Sequence, residues 1–250
     1  MVNPQSVDDD QTGTTENPLS RISIIVPTLN EATRITRLLQ GLQALRQRGH
    51  EVIIADGGSL DETCALTDGL VDARVRSSRG RASQMNAGAK LASGDVLLFL
   101  HADTQLPERA DAMILKGLSK TKLAWGRFDA AIEGGHVLLP VIAWFMNRRS
   151  CLTGICTGDQ ALFVRHGVFL AMGGYAEIPL MEDIELSNRL KSQGRPLHLN
   201  SRVITSGRRW EKRGVIRTIV LMWALRLAYF FGADPAKLAI IYGYEPTTDD

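Results

Sequence analysis

Apolar residues in the first half of the chain form short β-branched runs that alternate with segments of helical spacing. Residues 21–27 (RISIIVP) end at a proline, and the apolar positions from Ile35 to Leu45 then follow every third or fourth residue. The pattern repeats to about residue 120: it predicts strands at 51–55, 73–76 and 95–100 and helices at 60–70, 80–92 and 107–119. Because continuously apolar strands are typical of parallel sheets covered on both faces, we expect a doubly wound α/β sheet.

The second half of the chain has a different pattern. It predicts strands at 122–132 and 158–164, an apolar helix or loop at 134–147, and helices at 182–193 and 214–232. The helix at 214–232 is apolar nearly all round. Three interpretations of that helix stay open: packing on its own domain, docking on a second copy of the chain, or docking on a membrane surface through nearby arginines.

Composition and charge exclude several classes of protein. Of the 250 residues, 44% are hydrophobic and 22% are charged, which is typical of globular proteins and excludes a wholly disordered chain. A formal net charge of +2 is too balanced for a protein whose main partner is a nucleic acid. The acidic, polar residues 1–20 predict a disordered tail and no signal peptide. We therefore expect a cytoplasmic protein, or one at the inner face of the membrane.

Carboxylates follow three of the predicted strands. Glu31 lies after the first strand, Asp56 ends the second, and Asp103 lies just past the strand at 95–100. One acid at a strand-to-helix junction is often only a helix cap. Three at the same sheet edge indicate a shared cleft, because ligands of doubly wound sheets bind beyond the carboxyl ends of the strands. Carboxylates there suit ribose hydroxyls, or a divalent cation held against phosphates.

Two common phosphate-binding motifs are absent. The loop after the first strand lacks GxGxxG, and GxxxxGK[ST] occurs nowhere in the sequence, which argues against a nicotinamide or P-loop site. Arg74, Arg76, Arg79 and Arg81 instead precede or begin the helix at 80–92, whose N-terminus favours phosphate. A solvated basic loop is the alternative interpretation.

Three motifs together carry a resemblance to a known family. Residues 26–31 (VPTLNE), 56–63 (DGGSLDET) and 94–103 (GDVLLFLHAD) resemble, in order and spacing, the nucleotide-sugar half of family 2 glycosyltransferases. The resemblance covers about residues 21–210 and implies the GT-A fold, a mixed, mainly parallel sheet flanked by helices, here with a C-terminal apolar helix. It divides one continuous catalytic domain into a nucleotide-sugar-binding half (21–120) and an acceptor-binding half (121–245). The compact form and residues 101–104 (HADT) resemble a subgroup associated with arsenosugar biosynthesis.

The resemblance implies the donor-site residues. The base and ribose of the nucleotide sugar would be contacted by Pro27, Thr28, Asn30, Glu31 and Asp56, with uracil the expected base and guanine the alternative. Ala102 belongs to the same site, and Arg79 or Arg81 would replace a family arginine whose place Met85 takes. Asp103 would hold Mn²⁺ or Mg²⁺, although His101 occupies the first position of the family's Asp-x-Asp.

The acceptor half supplies the remaining residues that the resemblance implies. Asp183 would be the general base that takes the acceptor proton, and Glu182 would orient the acceptor. Arg208, Arg209 and Trp210 resemble a shortened Arg-Trp motif whose cation meets the departing diphosphate. These parts imply an inverting, metal-assisted transfer to an acceptor hydroxyl that the sequence does not identify.

Two alternatives to this enzyme stay open. A sugar nucleotidyltransferase shares the sheet, but we would expect a glycine-rich loop after its first strand, where this chain has residues 27–31 (PTLNE). A non-catalytic nucleotide-sugar-binding module or membrane-associated scaffold would bind the donor without transferring the sugar.

Overall fold

Eight strands form one mixed sheet in the computed structural model, which describes residues 19–244. In chain order they are β1 (Ile22–Thr28), β2 (Glu51–Asp56), β3 (Ala73–Arg76), β4 (Val96–Phe99), β5 (Thr104–Gln105), β6 (Trp125–Glu133), β7 (Phe163–Arg165) and β8 (Leu197–Ser206). Their order across the sheet is β3-β2-β1-β4-β7-β6-β8-β5. The neighbours from β3 to β4 and the pair β6–β8 are parallel, whereas β7 is antiparallel to both of its neighbours and β5 is antiparallel to β8.

Helices cover both faces of this sheet. Those in the described part of the chain are α1 (Ala32–Gln47), α2 (Arg81–Leu91), α3 (Ala110–Lys120), α4 (Leu139–Thr153), α5 (His166–Ala171), α6 (Glu182–Leu190), α7 (Arg208–Arg213), α8 (Val215–Phe230) and α9 (Pro235–Tyr242). None of them is both long enough and apolar enough to cross a membrane.

Side-chain alternation along β1 explains why the sheet is covered on both sides. Ile24 and Val26 belong to one apolar core with Leu39 of α1, while Ile25 faces a second core with Met85 of α2. All five side chains are buried, as expected for a strand in the middle of a two-sided sheet. The predicted fold, a mainly parallel mixed sheet flanked by helices, is confirmed.

The predicted helix at 60–70 is wrong. The segment forms turns and one short 3₁₀ helix, Ala65–Thr67. Asp61 accepts a hydrogen bond from the Thr63 amide at 3.0 Å, and the Thr67 hydroxyl donates to the Cys64 carbonyl at 2.7 Å. Such local bonds from short polar side chains compete with helical hydrogen bonding, and they outweigh the apolar spacing here.

The sequence analysis missed β5, β8, α5, α7 and α9, so α8 is not the last helix. The burial of β8 alternates along most of its length, which is the period of a strand. The ends of α9 carry ordinary helix signals: Asp234 accepts from the Ala236 amide at 2.9 Å, Pro235 begins the helix, and Gly243 ends it with φ +93°.

Both ends of the described chain contact the rest of the protein. Of the predicted tail, residues 1–18 lie outside the described part, whereas the Ser20 amide donates to Asp95 at 2.8 Å. At the other end, Leu225 of α8 and Leu238 of α9 pack in a third apolar core with Leu180 and Met181, immediately before α6. The C-terminal helices are thereby held beside the residues that begin α6.

Candidate functional site

A cleft of about 630 Å³ lies beyond the carboxyl ends of β1 and β4, where a doubly wound sheet binds its ligands. The start of α2 and residues of α7, α8 and α9 complete its walls. Ten residues predicted from the sequence line it: Pro27, Thr28, Glu31, Arg79, Arg81, Ala102, Asp103, Arg208, Arg209 and Trp210. The two halves of the chain therefore share one cleft.

Four other predicted residues do not line the cleft: Asn30, Asp56, Glu182 and Asp183. Asp56 is buried at the end of β2 and accepts hydrogen bonds from the Gly58 and Ser59 amides, both at 2.9 Å, and from the Thr28 hydroxyl at 3.2 Å. Burial raises the pKa of Asp56, but the hydrogen bonds from Ser59, Gly58 and Thr28 outweigh it and lower that pKa overall. Asp56 is thus an ionised support for the loop after β2.

Asn30 joins that loop to the loop after β1. It has φ +54°, its amide donates to the Ser59 hydroxyl at 2.9 Å, and its side-chain oxygen accepts from the Leu60 amide at 2.9 Å. Glu31, the next residue, reaches the cleft and pairs with Arg34 at 3.0 Å. Asparagine tolerates this left-handed conformation well. The turn at Asn30, with its hydrogen bonds to the loop after β2, holds the residues between β1 and α1 in place at the cleft.

The two acids that begin α6 lie in a charged environment, with Glu182 buried and Asp183 partly buried. Glu182 is 5% exposed, and its carboxylate lies 3.8 Å from the guanidinium of Arg81. Burial raises the pKa of Glu182, and the negative charge of Asp183 raises it further. Burial also raises the pKa of Asp183, although amide hydrogen bonds from Gly158 at 2.9 Å and Ile184 at 2.7 Å oppose that shift.

Arg81 connects this acid pair to the cleft. Partial burial alone would lower the pKa of Arg81, but the electrostatic effect of Tyr244 and of the carboxylates of Glu182, Asp159 and Asp183 outweighs it and raises that pKa. The sequence analysis assigned Arg81 to phosphate. The structure shows that Arg81 is the first residue of α2 and that its side chain lies near carboxylates, with Glu182 at 3.8 Å.

Gly158 links Asp183 to the segment after β4. Its amide donates to Asp183, and a Cβ on Gly158 would overlap the imidazole ring of His101. His101 Nδ1 lies 3.5 Å from Asp159, and Asp103 lies two residues beyond His101 on the cleft wall. Partial burial raises the pKa of Asp159, but the hydrogen bond and charge of His101, together with the charges of Arg81 and Arg209, outweigh it and lower that pKa overall.

The residues present fit a divalent cation that takes most of its ligands from a bound substrate. Within residues 19–244 no group of three or more His, Cys, Asp or Glu side chains is arranged to hold a metal ion by itself. Asp103 offers one carboxylate at the cleft, and Mg²⁺ is commonly held by one or two carboxylates together with substrate phosphates and water. His101 Nδ1 faces Asp159, and Asp103 is the carboxylate that this segment offers to a cation.

The cationic wall of the cleft comes from α7. Arg208 and Arg209 are exposed and Trp210 is partly buried. The Arg209 guanidinium lies 4.8 Å from the centre of the Tyr242 ring in α9. Tyr242 and Tyr244 line the cleft but were missed by the sequence analysis, because the start and stop signals of α9 were overlooked.

Fold and cleft together define an α/β protein with a cleft at the carboxyl ends of parallel strands, where proteins of this architecture bind their ligands. The sequence profile described as glycosyl transferase family 2 matches residues 23–173, and so the chain belongs to that family. A PGL/p-HBAD biosynthesis glycosyltransferase of Mycobacterium bovis is 31% identical over 168 residues. That match covers 61% of this chain and 62% of the relative, which is less than two thirds of the relative's length.

Solved structures show the same fold at low sequence identity. TarS of S. aureus in complex with UDP-GlcNAc has a TM-score of 0.62 at 16% identity, over 74% of this chain and 58% of TarS. The mannosyltransferase PcManGT from Pyrobaculum calidifontis, in complex with GDP-Man and Mn²⁺, has a TM-score of 0.59 at 20% identity. That likeness covers 90% of this chain and 66% of PcManGT.

Proposed function

We propose that this chain transfers a sugar from a nucleotide diphosphate sugar to an acceptor hydroxyl, with inversion at the anomeric carbon. The observation that carries the proposal is the contact path from Asp103 to Asp183. Asp103 lies on the cleft wall close to His101, His101 packs against Gly158, and the Gly158 amide donates to Asp183. These contacts join the segment that carries Asp103 to the start of the helix that carries Asp183, and a displacement between two bound substrates requires such fixed positions for the donor-side and acceptor-side groups.

The donor half binds the nucleotide diphosphate. Glu31 and the loop carrying Pro27 and Thr28 contact the nucleoside, and Asn30 and Asp56 keep that loop in place. TarS was solved with UDP-GlcNAc and PcManGT with GDP-Man, so relatives of this fold bind either base. We propose uracil as the base, with guanine as the alternative.

A divalent cation, Mn²⁺ or Mg²⁺, would complete the donor site. Asp103 would hold it together with the diphosphate oxygens. The preceding residue, Ala102, lines the same part of the cleft. The cation would supply positive charge beside the leaving group. Support comes from PcManGT, which was solved with Mn²⁺.

The remaining steps, stabilising the leaving group and deprotonating the acceptor, fall to different residues of this chain. Arg208 and Arg209 stabilise the negative charge that develops on the departing diphosphate, and Arg79 adds a further cation at the cleft. Asp183 accepts the proton of the acceptor hydroxyl as that oxygen attacks. Trp210 packs beside the acceptor. One displacement from the face opposite the leaving group inverts the anomeric configuration.

Asp183→Asn tests the proposed base, with Glu185→Gln as the matched control. Glu185 is a suitable control because it lies in the first turn of the same helix but forms its ion pair with Arg189. The wild-type chain is incubated with UDP-sugars and GDP-sugars, Mn²⁺ and an acceptor-containing cell extract. Nucleotide release and product mass are measured, while donor affinity is measured separately by calorimetry.

Asp183→Asn should keep its donor affinity and lose about 10²- to 10⁴-fold in transfer, as expected for loss of a general base, and Glu185→Gln should keep both. Unchanged transfer by Asp183→Asn would contradict the assignment of the base. A wild-type chain that binds the donor but releases no nucleotide would instead be a binding module.

A further inference from the structure

The outward face of α8 carries five large apolar side chains that are exposed. Ile216, Val220, Trp223, Leu227 and Phe230, which we name the outer face of α8, are between 59% and 81% exposed. They follow one another at intervals of four, three, four and three residues. At 100° per residue they fall within an arc of about 80°, so they form one continuous stripe. Contiguous exposed apolar surface of this kind marks an interaction site.

The opposite side of α8 is packed on the protein. Val215, Thr218 and Leu225 are buried, and Thr218 and Met222 line the cleft. The helix is therefore anchored through one side, and nothing between residues 19 and 244 covers the other. Its outer face lies on the reverse side of a helix that forms part of the cleft wall.

Positive charge surrounds the outer face. Arg217 and Arg226 lie at about 100° and 280° around the helix from Ile216, which places one arginine on each flank of the stripe. No Asp or Glu occurs in α8, and in the preceding α7 four cationic residues accompany a single acid, Glu211. An apolar stripe that contains tryptophan and is flanked by arginines is typical of helices lying in the interface of a membrane.

A second copy of the chain fits this face less well than a lipid surface. Two α8 helices packed face to face would bring only arginines together, because the helix has no acid to pair with them. The stripe also spans only about two heptads, short of the three to four over which a coiled-coil pattern is normally sustained. Anionic lipid headgroups supply the charge that a second copy lacks.

We propose that the outer face of α8 docks on the surface of a bilayer that contains anionic phospholipids. Its five apolar side chains enter the boundary between headgroups and acyl chains, while Arg217 and Arg226 meet the phosphates. Since Thr218 and Met222 on the reverse side line the cleft, docking holds the cleft close to the lipid surface. The docking does not depend on the proposed glycosyl transfer, and either can fail without the other.

Flotation of the full chain with lipid vesicles tests the proposal. One set of vesicles contains phosphatidylcholine alone, and the other is an equal mixture of phosphatidylcholine and phosphatidylglycerol. The test variant is Trp223→Ser combined with Phe230→Ser. The control is Leu60→Ser, which removes a side chain that is 95% exposed in the loop after β2. Thermal unfolding verifies that each variant is folded, and gel filtration with light scattering reports the oligomeric state.

The wild-type chain and Leu60→Ser should float with the anionic vesicles, and the double variant should lose about tenfold or more in partitioning. Arg217→Gln should reduce the preference for anionic over neutral vesicles, and added salt should do the same. Failure of the wild-type chain to float, or equal flotation of the folded double variant, would overturn the proposal. A dimer that the double variant converts to a monomer, without flotation, would make a second copy the occupant.

Discussion

Gly158→Ala probes the contacts that join the segment after β4 to the start of α6. The added Cβ would overlap the imidazole ring of His101, which lies beside Asp159. Either the ring or the glycine backbone must then move. A backbone movement also disturbs the 2.9 Å hydrogen bond from the Gly158 amide to Asp183.

The expected cost follows from the overlap. Forcing an extra carbon into a packed site typically destabilises the folded state by about 1–3 kcal/mol. Gly167→Ala is the matched control, because a Cβ at Gly167 in α5 would meet nothing within 4 Å and its φ lies outside the left-handed region. At such a site the same substitution should stabilise the chain by about 0.4–1 kcal/mol, since alanine restricts the unfolded state. The two substitutions should therefore change stability in opposite directions.

A double-mutant cycle isolates the contact. Gly158→Ala is measured in the wild-type chain and in a His101→Ala background by urea unfolding. Removing the ring makes room for the Cβ, so the cost of Gly158→Ala should fall by about 1 kcal/mol or more in that background. Equal costs in the two backgrounds would refute the argument, because the overlap would then contribute nothing to the stability of the folded chain.

The charged environment of α6 gives two further predictions. Because the pKa of Asp183 is raised, transfer should fall as the pH drops through a value higher than that of an ordinary aspartate, and Arg81→Met should move this acidic limb to still higher pH in a pH–rate profile. An acidic limb that stays at the same pH in Arg81→Met would show that Arg81 does not affect the pKa of the group that titrates. Glu182→Gln should raise the free energy of unfolding by about 1 kcal/mol at pH 8, because the wild-type chain must keep a buried carboxylate ionised there. The gain should shrink as the pH falls below the raised pKa of Glu182, where that carboxyl binds a proton in the folded chain; a gain independent of pH in chemical denaturation would contradict this reasoning.

The first half of the fold was predictable because its signals are local. The apolar runs of β1, β2 and β4, and the spacing of α1, depend on burial within one segment. In the segment at 60–70 the same spacing was present, but hydrogen bonds made by Asp61 and Thr67 held the chain in turns. Apolar periodicity carries no information about such bonds.

Tertiary contacts decided what the sequence could not predict about the site. The sequence analysis grouped Asp56 with Glu31 and Asp103 at one sheet edge, but only the latter two line the cleft. Asp56 follows its strand as predicted, and only the structure shows that loop amides and hydroxyls occupy its oxygens. The cleft wall formed by Tyr242 depends on the packing of α9 beside α6, which joins segments about 60 residues apart in sequence.

Calorimetric titration of UDP and GDP, with and without Mn²⁺, tests most directly whether the acids and cations of the two halves form one donor cleft. The wild-type chain should bind one of the two nucleotides more tightly when Mn²⁺ is present. Asp103→Ala should lose that metal dependence, and Asp68→Ala, at a carboxylate 68% exposed and paired with Arg74 outside the cleft, should retain it. Identical titration curves for wild type and Asp103→Ala would contradict the account of the donor site.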